Sequence, residues 1–459
     1  MSEREFDVIV LGAGPAGEVA AGELADGGLS VVLVEPRLVA GECSYYACMP
    51  SKALLRPAQA LAEARRVPGA AEASRGEIDV QAVLDRRDEI IHDLDDSEQL
   101  SWLQEHGIEL IRAKGVITGE RSVAAGDHRL TATKAVIVAT GSSPSLPPID
   151  GLADARPWTN REATTTKSIP DRLAVIGGGV VGVEMAQAFA SLGATVTLIE
   201  PEARLLIREE PFAAQQIADA LREAGVEVLT DTAVESVSRV SSGEVTITVA
   251  GGREIVADEL LVAAGRRPNT VGIGVEELGL EAGKPLPTDA RLRVNGHSWL
   301  YAIGDVNGRA LLTHMGKHQA RIVADTIRQV SGRELRTVAD GPQSPRVVFT
   351  EPQVAAVGFT EADAREAGFN IQVAEASTSG NAGGSFYGHD AVGTARLIVD
   401  TDRNVVIGAT FTGVDVHEFL HAATIAIVSQ IPVSDLQYCI PSFPTRSEVW
   451  LNLLSGLPR

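Results

Sequence analysis

Cysteine is scarce in this chain of 459 residues, which contains only Cys43, Cys48 and Cys439. Three thiols cannot supply an all-cysteine zinc site with four ligands, although a mixed site with histidine stays open. Cys43 and Cys48 are separated by only four residues. Because cellular thiols keep structural bridges reduced, a close pair in a cytosolic chain is more often catalytic or metal-binding. We favour the catalytic interpretation and predict no metal site.

Basic charge and long apolar runs are lacking as well. The formal net charge is −21 and the pI is about 4.9, which argues against nucleic acid or an anionic membrane as a partner, since either needs a basic surface. No stretch approaches the ~20 apolar residues of a membrane span. The apolar run 8–11 follows acidic residues and enters glycines at once, so it is not a secretory signal. We therefore expect a cytoplasmic protein without a membrane span.

A glycine-rich turn follows the apolar strand predicted at 7–11 and precedes an alanine-rich helix. Gly12 permits the tight turn, Gly14 lets the backbone approach a pyrophosphate, and Gly17 lets the helix pack on the strand. The next predicted strand ends in Glu35, where a carboxylate can accept hydrogen bonds from an adenosine ribose. This order of strand, turn and helix predicts a dinucleotide-binding fold.

The same pattern occurs a second time. A predicted strand leads into Gly177, Gly179 and Gly182, a helix follows, and the next strand ends in Glu200. Two dinucleotides are therefore implied. In an oxidoreductase with two such sites, one dinucleotide is typically FAD and the other a nicotinamide, and hydride passes between their rings.

Glu200 bears on the choice of nicotinamide. A carboxylate at this strand end hydrogen-bonds a ribose 2′-hydroxyl and repels the 2′-phosphate of NADPH, so NADH is favoured. Arg204 and Arg208 follow shortly, and arginines can bind that phosphate. NADPH therefore stays open, as does the alternative that both arginines are solvated charges at a helix end.

Further motifs appear in a characteristic order along the chain. They comprise the cysteine segment 41–52, the strand and turn that end in Thr140 and Gly141, the segment ending at Gly265, the pair Gly304 and Asp305, the helix opened by Thr313 and His314, and the C-terminal segment 444–448. With the two glycine turns, this set resembles the pyridine nucleotide-disulfide oxidoreductases, the family of lipoamide dehydrogenase, glutathione reductase and mercuric reductase. The order and spacing match over nearly the whole chain.

The resemblance implies an α/β fold with two Rossmann-like dinucleotide-binding domains and a C-terminal α+β dimerisation domain. The expected boundaries are 1–150 for the first part of the FAD domain, 151–270 for the NAD(P) domain, 271–338 for the return to the FAD domain, and 339–459 for the interface domain. The family's homodimer shares its active site across the interface, and segment 444–448 would enter the partner's site.

The resemblance also assigns cofactor residues. Asp305 would bind the ribityl chain, and the positive end of the helix opened by Thr313 would face the flavin. For His314, the alternative interpretation is that it only caps the helix or packs against its neighbours. The expected FAD residues are Gly12, Gly14, Gly17, Glu35, Thr140, Gly141, Gly304, Asp305, Thr313 and His314. The expected nicotinamide residues are Gly177, Gly179, Gly182, Glu200 and Gly265.

By the same resemblance, NADH reduces FAD, and reduced FAD passes its electrons to a disulfide between Cys43 and Cys48. Cys48 would be the thiolate that faces the flavin, and Cys43 the thiol that meets the acceptor. Lys52 and Glu184 match residues that pair beside the flavin, where a cation stabilises the reduced ring. A surface ion pair is the plain alternative for these two residues.

One departure lies at the expected catalytic centre. Where the family has its acid-base histidine, this chain has Phe443, although Glu448, which orients that histidine, is retained. Thiol-disulfide exchange needs a proton for the departing thiol, and a phenyl ring cannot supply it. Tyr45 and Tyr46 replace smaller residues between the cysteines and would offer aromatic surface to an acceptor.

Three hypotheses follow for the function. The first is a disulfide reductase, including a dihydrolipoamide dehydrogenase-like enzyme, with an unusual proton donor such as a tyrosine, a water molecule or the substrate. The second is a reductase of quinones or metal ions; mercuric reductase itself is a weaker choice because its C-terminal cysteine pair is absent. The third, a non-catalytic flavin-binding module, is disfavoured because both cysteines, Lys52 and Glu184 are present. The sequence does not identify the acceptor.

One further motif has a formal match to a different chemistry. Residues 417–421, His-Glu-Phe-Leu-His, fit the zinc-protease pattern within a helix predicted over 415–430. We reject a zinc site there, because the family uses this helix for dimer packing and no third ligand is apparent.

Overall fold

A computed structural model describes residues 2–241, 243–330, 334–388 and 391–457. The strands are β1 Ser2–Leu11, β2 Val31–Val34, β3 Glu109–Ile111, β4 Gly115–Gly119, β5 Ser122–Ala125, β6 His128–Val138, β7 Ser142–Pro144, β8 Arg172–Ile176, β9 Thr195–Ile199, β10 Glu227–Leu229, β11 Val234–Arg239, β12 Val245–Val249, β13 Arg253–Ala257, β14 Glu259–Val262, β15 Arg266–Pro268, β16 Leu300–Ala302, β17 Arg346–Val348, β18 Gln353–Gly358, β19 Ile371–Ser377, β20 Thr394–Asp400 and β21 Val405–Gly413.

The α-helices are α1 Pro15–Asp26, α2 Gly41–Tyr45, α3 Cys48–Arg66, α4 Ala70–Ala73, α5 Val80–Ile90, α6 Ser97–Glu105, α7 Asn160–Thr165, α8 Val180–Ser191, α9 Pro211–Glu223, α10 Thr313–Arg328, α11 Glu361–Glu366, α12 Leu420–Val428, α13 Val433–Leu436 and α14 Val449–Ser455. Short 3₁₀ helices lie at His92–Leu94, Val275–Leu278, Gly304–Asn307, Thr337–Ala339, Gly341–Gln343, Gly384–Tyr387, Val416–Phe419 and Arg446–Glu448.

The chain forms two compact units. The first comprises Met1–Pro50, Asp88–Ser145 and Arg266–Gly341, and the second comprises Ser51–Arg87, Leu146–Gly265 and Pro342–Arg459. Each unit contains one of the two glycine turns.

The first unit is built on a seven-stranded sheet with the order β3-β2-β1-β6-β5-β4, in which β16 also pairs with β6. Strand β1 lies parallel to both β2 and β6, with Val8 opposite Val31 and Val10 opposite Ile137. The apolar half of β1 is buried, as expected of a central parallel strand covered on both faces. Helices α1 and α10 contribute to the core on one side of this sheet.

The described residues of the second unit form three sheets. A parallel sheet with the order β10-β9-β8-β14 underlies the second glycine turn, and a three-stranded sheet β11-β12-β13 is antiparallel. The C-terminal part forms a five-stranded antiparallel sheet with the order β17-β18-β21-β20-β19. Its strand β21 is buried along all of its residues. The α/β class and the C-terminal α+β part predicted from the sequence are confirmed.

Three elements differ from the sequence prediction in their bounds. Strands β1 and β6 begin well before their apolar runs, because their polar halves pair with each other, from Ser2 opposite His128 onward. The helix predicted over 415–430 is wrong at its start: Asp415 has a left-handed φ of 48°, a 3₁₀ turn follows, and α12 begins only at Leu420.

Within the described ranges, no helix is both long and apolar enough to cross a membrane.

Candidate active site

The first glycine turn depends on the absence of side chains at two positions. Gly12 has a φ of +103°, and a Cβ on it would lie 2.4 Å from the Ala139 carbonyl oxygen. A Cβ on Gly17 would lie 1.9 Å from the Gly12 carbonyl oxygen. A Cβ on Gly14 would meet no atom of the described residues within 4 Å. The protein's own packing therefore requires Gly12 and Gly17, whereas Gly14 leaves space for a ligand to approach the backbone.

Glu35 is held at the end of β2 by two backbone amides. Its Oε2 accepts a hydrogen bond from the amide of Ala13 at 2.9 Å, and its Oε1 accepts one from the amide of Arg37 at 2.8 Å. The carboxylate is thus fixed beside the glycine turn, where a ribose hydroxyl would meet it.

Asp305 lies in a network that the sequence did not reveal completely. Ser142 Oγ donates to Asp305 Oδ2 at 2.5 Å, and Arg266 Nε lies 3.9 Å from the same oxygen. Burial is the largest influence on Asp305 and raises its pKa, while Ser142 and Arg266 act in the opposite direction. Arg266 Nη2 also lies 3.8 Å from Glu42 Oε2. Arg266 therefore connects the predicted ribityl site to the residue before Cys43.

Thr140 and Gly141 form the turn after β6. Thr140 Oγ1 donates to the carbonyl oxygen of Asn269 at 2.8 Å, and Gly141 has a φ of +69°. The first unit thus combines the open backbone at Gly14, the fixed Glu35 and the buried carboxyl of Asp305. This set fits an adenine dinucleotide whose pyrophosphate approaches a helix N-terminus.

Cys43 and Cys48 lie in α2 and at the start of α3, and both are half-buried thiols. Cys43 is hydrogen-bonded to Cys48 and to Thr313, and Cys48 Sγ lies 3.5 Å from Thr313 Oγ1. The hydrogen bond to Cys48, burial and the Cys48 charge raise the pKa of Cys43, whereas Thr313 and Lys317 lower it. A charge on one sulfur atom therefore opposes ionisation of the other.

The expectation that Tyr45 offers aromatic surface to an acceptor is wrong. Its side chain is only 1% exposed, and its hydroxyl donates to Asp95 O at 3.2 Å and to Gln99 Oε1 at 3.1 Å. Burial is the largest cause that raises the pKa of Tyr45, to about 12. Tyr45 is therefore part of a small core cluster. Tyr46 is half-buried at its edge, and its role stays a prediction.

Lys52 and Glu184 form an ion pair within the second unit. Lys52 Nζ lies 2.7 Å from Glu184 Oε2, and Glu184 is only 3% exposed. The other carboxylate oxygen accepts a hydrogen bond from the Phe349 amide at 2.9 Å. Lys52 Nζ also lies 4.7 Å from the centre of the Phe349 ring. The pair is consequently not a surface ion pair, because its carboxylate is buried and fully engaged.

The second glycine turn has almost the same geometry as the first. Gly177 has a φ of +109°, and a Cβ on Gly182 would lie 1.8 Å from the Gly177 carbonyl oxygen. A Cβ on Gly179 would meet no described atom within 4 Å. Glu200 Oε2 accepts from the Gly178 amide at 2.5 Å. Gly265, on the chain after β14, has a φ of +118°. This turn also fits a dinucleotide.

Arg204 is engaged by the chain's own backbone. Its guanidinium donates to three carbonyl oxygens, those of Glu209 at 2.9 Å, Ile207 at 2.8 Å and Leu206 at 3.3 Å. Arg208 is exposed. The hydrogen bonds of Arg204 weaken the argument that it is held ready for a 2′-phosphate.

Two residues near the cysteines were missed by the sequence reasoning. Glu18 lies in the first turn of α1, and burial is the largest cause that raises its pKa, to about 7, against the effect of Lys317. Lys317, on α10, also acts on Cys43. An acidic residue directly after the third glycine was the available signal for Glu18. Lys317 lies far away in the sequence and has no motif of its own.

The C-terminal segment presents Phe443, with 76% of its surface exposed in the single chain. Glu448 Oε2 is buried and has no hydrogen-bond partner among the described residues. Between them, the Arg446 guanidinium donates to the Val414 carbonyl oxygen and packs over the rings of Tyr387 and Phe419. Histidines 417 and 421 form no metal cluster with other described residues, and His417 Nδ1 instead lies 2.7 Å from Gln353 Oε1.

Comparisons with known proteins agree with this geometry. The sequence profile of the pyridine nucleotide-disulphide oxidoreductases matches residues 6–321, and the profile of their dimerisation domain matches residues 344–454. The chain belongs to this family. It is an FAD-dependent oxidoreductase that uses NAD(P)H, and its dimerisation domain supports a homodimer.

Individual relatives cover nearly the whole chain. A dihydrolipoyl dehydrogenase of Mycobacterium tuberculosis is 33% identical, in an alignment that covers 98% of this chain and 98% of its own length. A mercuric reductase of Staphylococcus aureus is 28% identical over 97% of this chain and 81% of its own length. Among solved structures, the Cu(II) complex of the HOCl-induced flavoprotein disulfide reductase RclA from Escherichia coli has a TM-score of 0.86 at 26% identity. That match covers 99% of this chain and 100% of RclA.

Proposed function

We propose that this protein passes electrons from NADH, through FAD and the Cys43/Cys48 pair, to a thiophilic metal ion such as Cu(II) rather than to an ordinary disulfide. The observation that carries the proposal is Phe443 at the family's acid-base position. A disulfide acceptor releases a thiolate that must be protonated, and a phenyl ring has no proton to give. A metal ion accepts electrons without that proton.

Two of the relatives support a metal acceptor. One is a mercuric reductase by name, and the structure of RclA is a Cu(II) complex. Thiolates are soft ligands that suit copper, and copper has a high affinity for protein ligands among the divalent first-row metals. Cys43 and Cys48 would therefore bind the acceptor as well as reduce it.

The electron balance is simple. Bound FAD would supply the two-electron chemistry that links NADH to the disulfide of Cys43 and Cys48, whose S–S bond breaks on reduction. The reduced pair then holds one thiolate and one thiol. When the two sulfur atoms form the S–S bond again, they give up two electrons, which reduce two Cu(II) ions to Cu(I), and the thiol releases its proton. The sum is NADH and two Cu(II) giving NAD⁺, two Cu(I) and one proton.

The chain's own residues set up these steps. We propose that Lys52, held by the buried Glu184 carboxylate, places a positive charge beside the flavin and stabilises its reduced form. Thr313, which contacts both sulfur atoms, would support the thiolate by hydrogen bonding. Phe443 and Glu448 of one subunit would enter the active site of the other in the homodimer.

Anaerobic NADH oxidation by the flavin-loaded dimer tests the proposal. We expect Cu(II) to support turnover with two Cu(I) formed per NADH, measured with a Cu(I)-specific chelator, whereas lipoamide and glutathione disulfide should turn over at least about tenfold more slowly. Cys43→Ser should abolish copper turnover. The matched control Cys439→Ser, which removes the exposed third cysteine, should leave it unchanged.

Other outcomes distinguish the remaining candidates. Rapid turnover of an ordinary disulfide by the wild type would contradict the proposal and would require another proton donor. Quinone turnover that survives Cys43→Ser, together with no copper turnover, would instead identify a reductase that bypasses the cysteines.

Phe443→His sharpens this test. The new imidazole should raise disulfide turnover by about 10²-fold, a typical contribution of general acid-base catalysis, provided that Glu448 orients it. Copper turnover should change little, because that reaction lacks a departing thiol. An equal rise with both acceptors would show that Phe443 acts through packing or access rather than through the missing proton.

A further inference from the structure

A cleft in the first unit is bounded by β6, β16, the segment 291–293 and the end of α10. Its volume is about 710 Å³, and its lining includes Lys134, Arg291, Arg293 and Tyr301. Binding sites for small molecules typically have volumes of about 300–1,000 Å³. The cleft is therefore large enough for an organic ligand.

The charged side chains that line this cleft are all cations. Lys134, Arg291 and Arg293 contribute one ammonium and two guanidinium groups, whereas no carboxylate of the described residues belongs to the lining. The chain as a whole has 61 acidic and 40 basic residues, so a lining with three cations and no acid departs from its average composition. Such a lining favours an anionic ligand.

Arg293 has no carboxylate partner within the described ranges. Its Nε donates to the Tyr301 hydroxyl at 3.4 Å. Asp289 attracts the guanidinium from farther away, but its Oδ1 accepts hydrogen bonds from the backbone amides of Arg291 and Arg293 at 2.8 and 2.9 Å. Tyr301 is only 5% exposed, so its fixed hydroxyl positions Nε. The two terminal nitrogens of Arg293 are therefore available to a ligand.

Lys134 and Arg291 have carboxylate neighbours, but neither is fully engaged. Lys134 Nζ lies 3.8 Å from Asp7 Oδ1, and Asp7 also accepts hydrogen bonds from three other donors. Arg291 Nε lies 2.8 Å from Glu334 Oε1, and these two side chains are 42% and 48% exposed. Exposed ion pairs contribute little free energy. A stronger anion in the cleft can therefore compete for both cations.

The end of α10 gives the cleft a different surface. A helix C-terminus carries a partial negative charge, which opposes an anion. Here the Asp325 carbonyl oxygen accepts from the Val330 amide at 3.1 Å, and the Thr326 carbonyl oxygen accepts from the Gln329 amide at 3.3 Å. Ile327 and Val330 add apolar side chains to the lining. An anionic group would thus lie at the cations, and an apolar group at α10.

We propose that this cleft binds a phosphate monoester. Arg293, Lys134 and Arg291 hold its phosphoryl group. Ile327 and Val330 contact its organic group. A phosphate monoester carries about −1.5 to −2 charges at neutral pH and has three strong acceptor oxygens. Arginine binds such a group through two parallel N–H groups, which suits the free end of the Arg293 guanidinium.

The cleft is separate from the redox pair. Its residues lie at the end of α10, whereas Thr313, which contacts Cys48, lies at the start of that helix. A helix of 16 residues is about 24 Å long. The inference is therefore independent of the electron acceptor and goes beyond the proposed function.

Calorimetric titration of the oxidised, flavin-loaded dimer with phenyl phosphate tests the proposal. Saturating NAD⁺ keeps the second glycine turn occupied, and bound FAD occupies the first. Sodium chloride at about 0.15 M screens charges beyond about 8 Å. We expect one phenyl phosphate per subunit with a Kd below about 1 mM. Inorganic phosphate and phenol should each bind at least about tenfold more weakly, because each lacks one of the two groups.

Variants locate the binding. Arg293→Met should weaken it at least about tenfold, and Arg293→Lys, which keeps the charge, should weaken it less. Tyr301→Phe should weaken it about fivefold, through the lost positioning of Nε. Lys134→Met, at a half-exposed position, should weaken it at least about threefold, and it tests the same cleft if Arg293→Met does not fold. The control Arg129→Met, exposed on the same strand as Lys134, should leave binding unchanged.

The outcomes are decisive for the cleft alone. Absence of phenyl phosphate binding by the wild type would overturn the proposal, as would binding that is equally strong in Arg293→Met, Lys134→Met and Arg129→Met. Equal affinities for phenyl phosphate and inorganic phosphate would overturn the assignment of an organic ester. No electron acceptor is present in these titrations, so loss of the copper proposal would leave this inference standing, and the reverse also holds.

Discussion

The two glycine turns have similar backbone geometry but different surroundings. In each turn, a Cβ on the third glycine would lie less than 2 Å from the carbonyl oxygen of the first, and in each a strand-ending glutamate accepts a hydrogen bond from an amide of the turn. Around the first turn, Gly41 lies close to Gly14 and Gly316 lies close to Ala16. At the second turn, Val180 and Val181 are 42% and 37% exposed.

The residue after the third glycine shows the difference most clearly. In the second turn it is Val183, which is completely buried and belongs to the hydrophobic core. In the first turn it is Glu18, largely buried and close to Lys317. A repeated fingerprint therefore reproduces the phosphate-binding backbone, while its surroundings determine what else the turn can do. We expect the enclosed first turn to retain its dinucleotide and the open second turn to exchange it.

Alanine at the third glycine should have the largest effect, and a different one in each turn. Gly17→Ala should prevent FAD retention, whereas Gly182→Ala should leave a yellow protein that dithionite reduces normally but NADH reduces at least about 10²-fold more slowly. Overpacking of about 3 kcal/mol corresponds to that factor. Flavin absorbance and stopped-flow reduction measure both. Gly76→Ala, where a Cβ meets nothing among the described atoms within 4 Å, is the control.

Lys52→Met should slow flavin reduction by NADH about 10²-fold, the usual scale for loss of one electrostatic stabiliser. It also leaves the buried Glu184 carboxylate without its cation, which costs stability. The double variant Lys52→Met/Glu184→Gln should recover the stability but not the rate, as measured by thermal unfolding and stopped-flow absorbance. Recovery of both would show that the pair is structural. Lys284→Met, at an exposed site, should change neither.

The two strand-ending glutamates should differ in their effect on nicotinamide choice. The flavin of the wild type should be reduced at least about tenfold faster by NADH than by NADPH at equal concentration, because Glu200 repels the 2′-phosphate of NADPH. Glu200→Gln should narrow this ratio, and Glu35→Gln, the equivalent change in the first turn, should not. A wild-type preference for NADPH would contradict this prediction and would indicate that Arg204 and Arg208 bind the 2′-phosphate.

A change at Glu18 should have the smallest effect. It should be seen in how the free energy of unfolding depends on pH. Its pKa rises from 4.5 to about 7 on folding, so the folded protein holds an extra proton between these values. Stability should therefore fall as the pH rises from about 4.5 to about 7, by up to about 3 kcal/mol. Glu18→Gln should flatten this slope in thermal unfolding of the flavin-loaded dimer. An unchanged slope would mean that Glu18 is more hydrated than the structure indicates.

Local motifs explain why much of the site could be predicted. A glycine turn, the strand before it and the carboxylate at the end of the next strand lie within about 30 residues and have one preferred arrangement. Burial is different, because it depends on distant segments. Tyr45 was expected to face an acceptor and instead lies in a core cluster with Ala40 and Ile91. Arg266 belongs to no motif from which its position near Asp305 and Glu42 could be predicted.

The sequence by itself determined the two dinucleotide folds, because they depend on residue types at short, fixed spacings. By resemblance to the family it also predicts the redox role of Cys43 and Cys48 and the replacement of the acid-base histidine by Phe443. Only the tertiary structure decided which charges surround Cys43. Glu18 and Lys317 are separated by almost 300 residues, and they interact because α1 and α10 pack together in the first unit. The pKa of a side chain depends on its burial and on charges within a few ångströms, and the folded chain, rather than the order of its residues, establishes both.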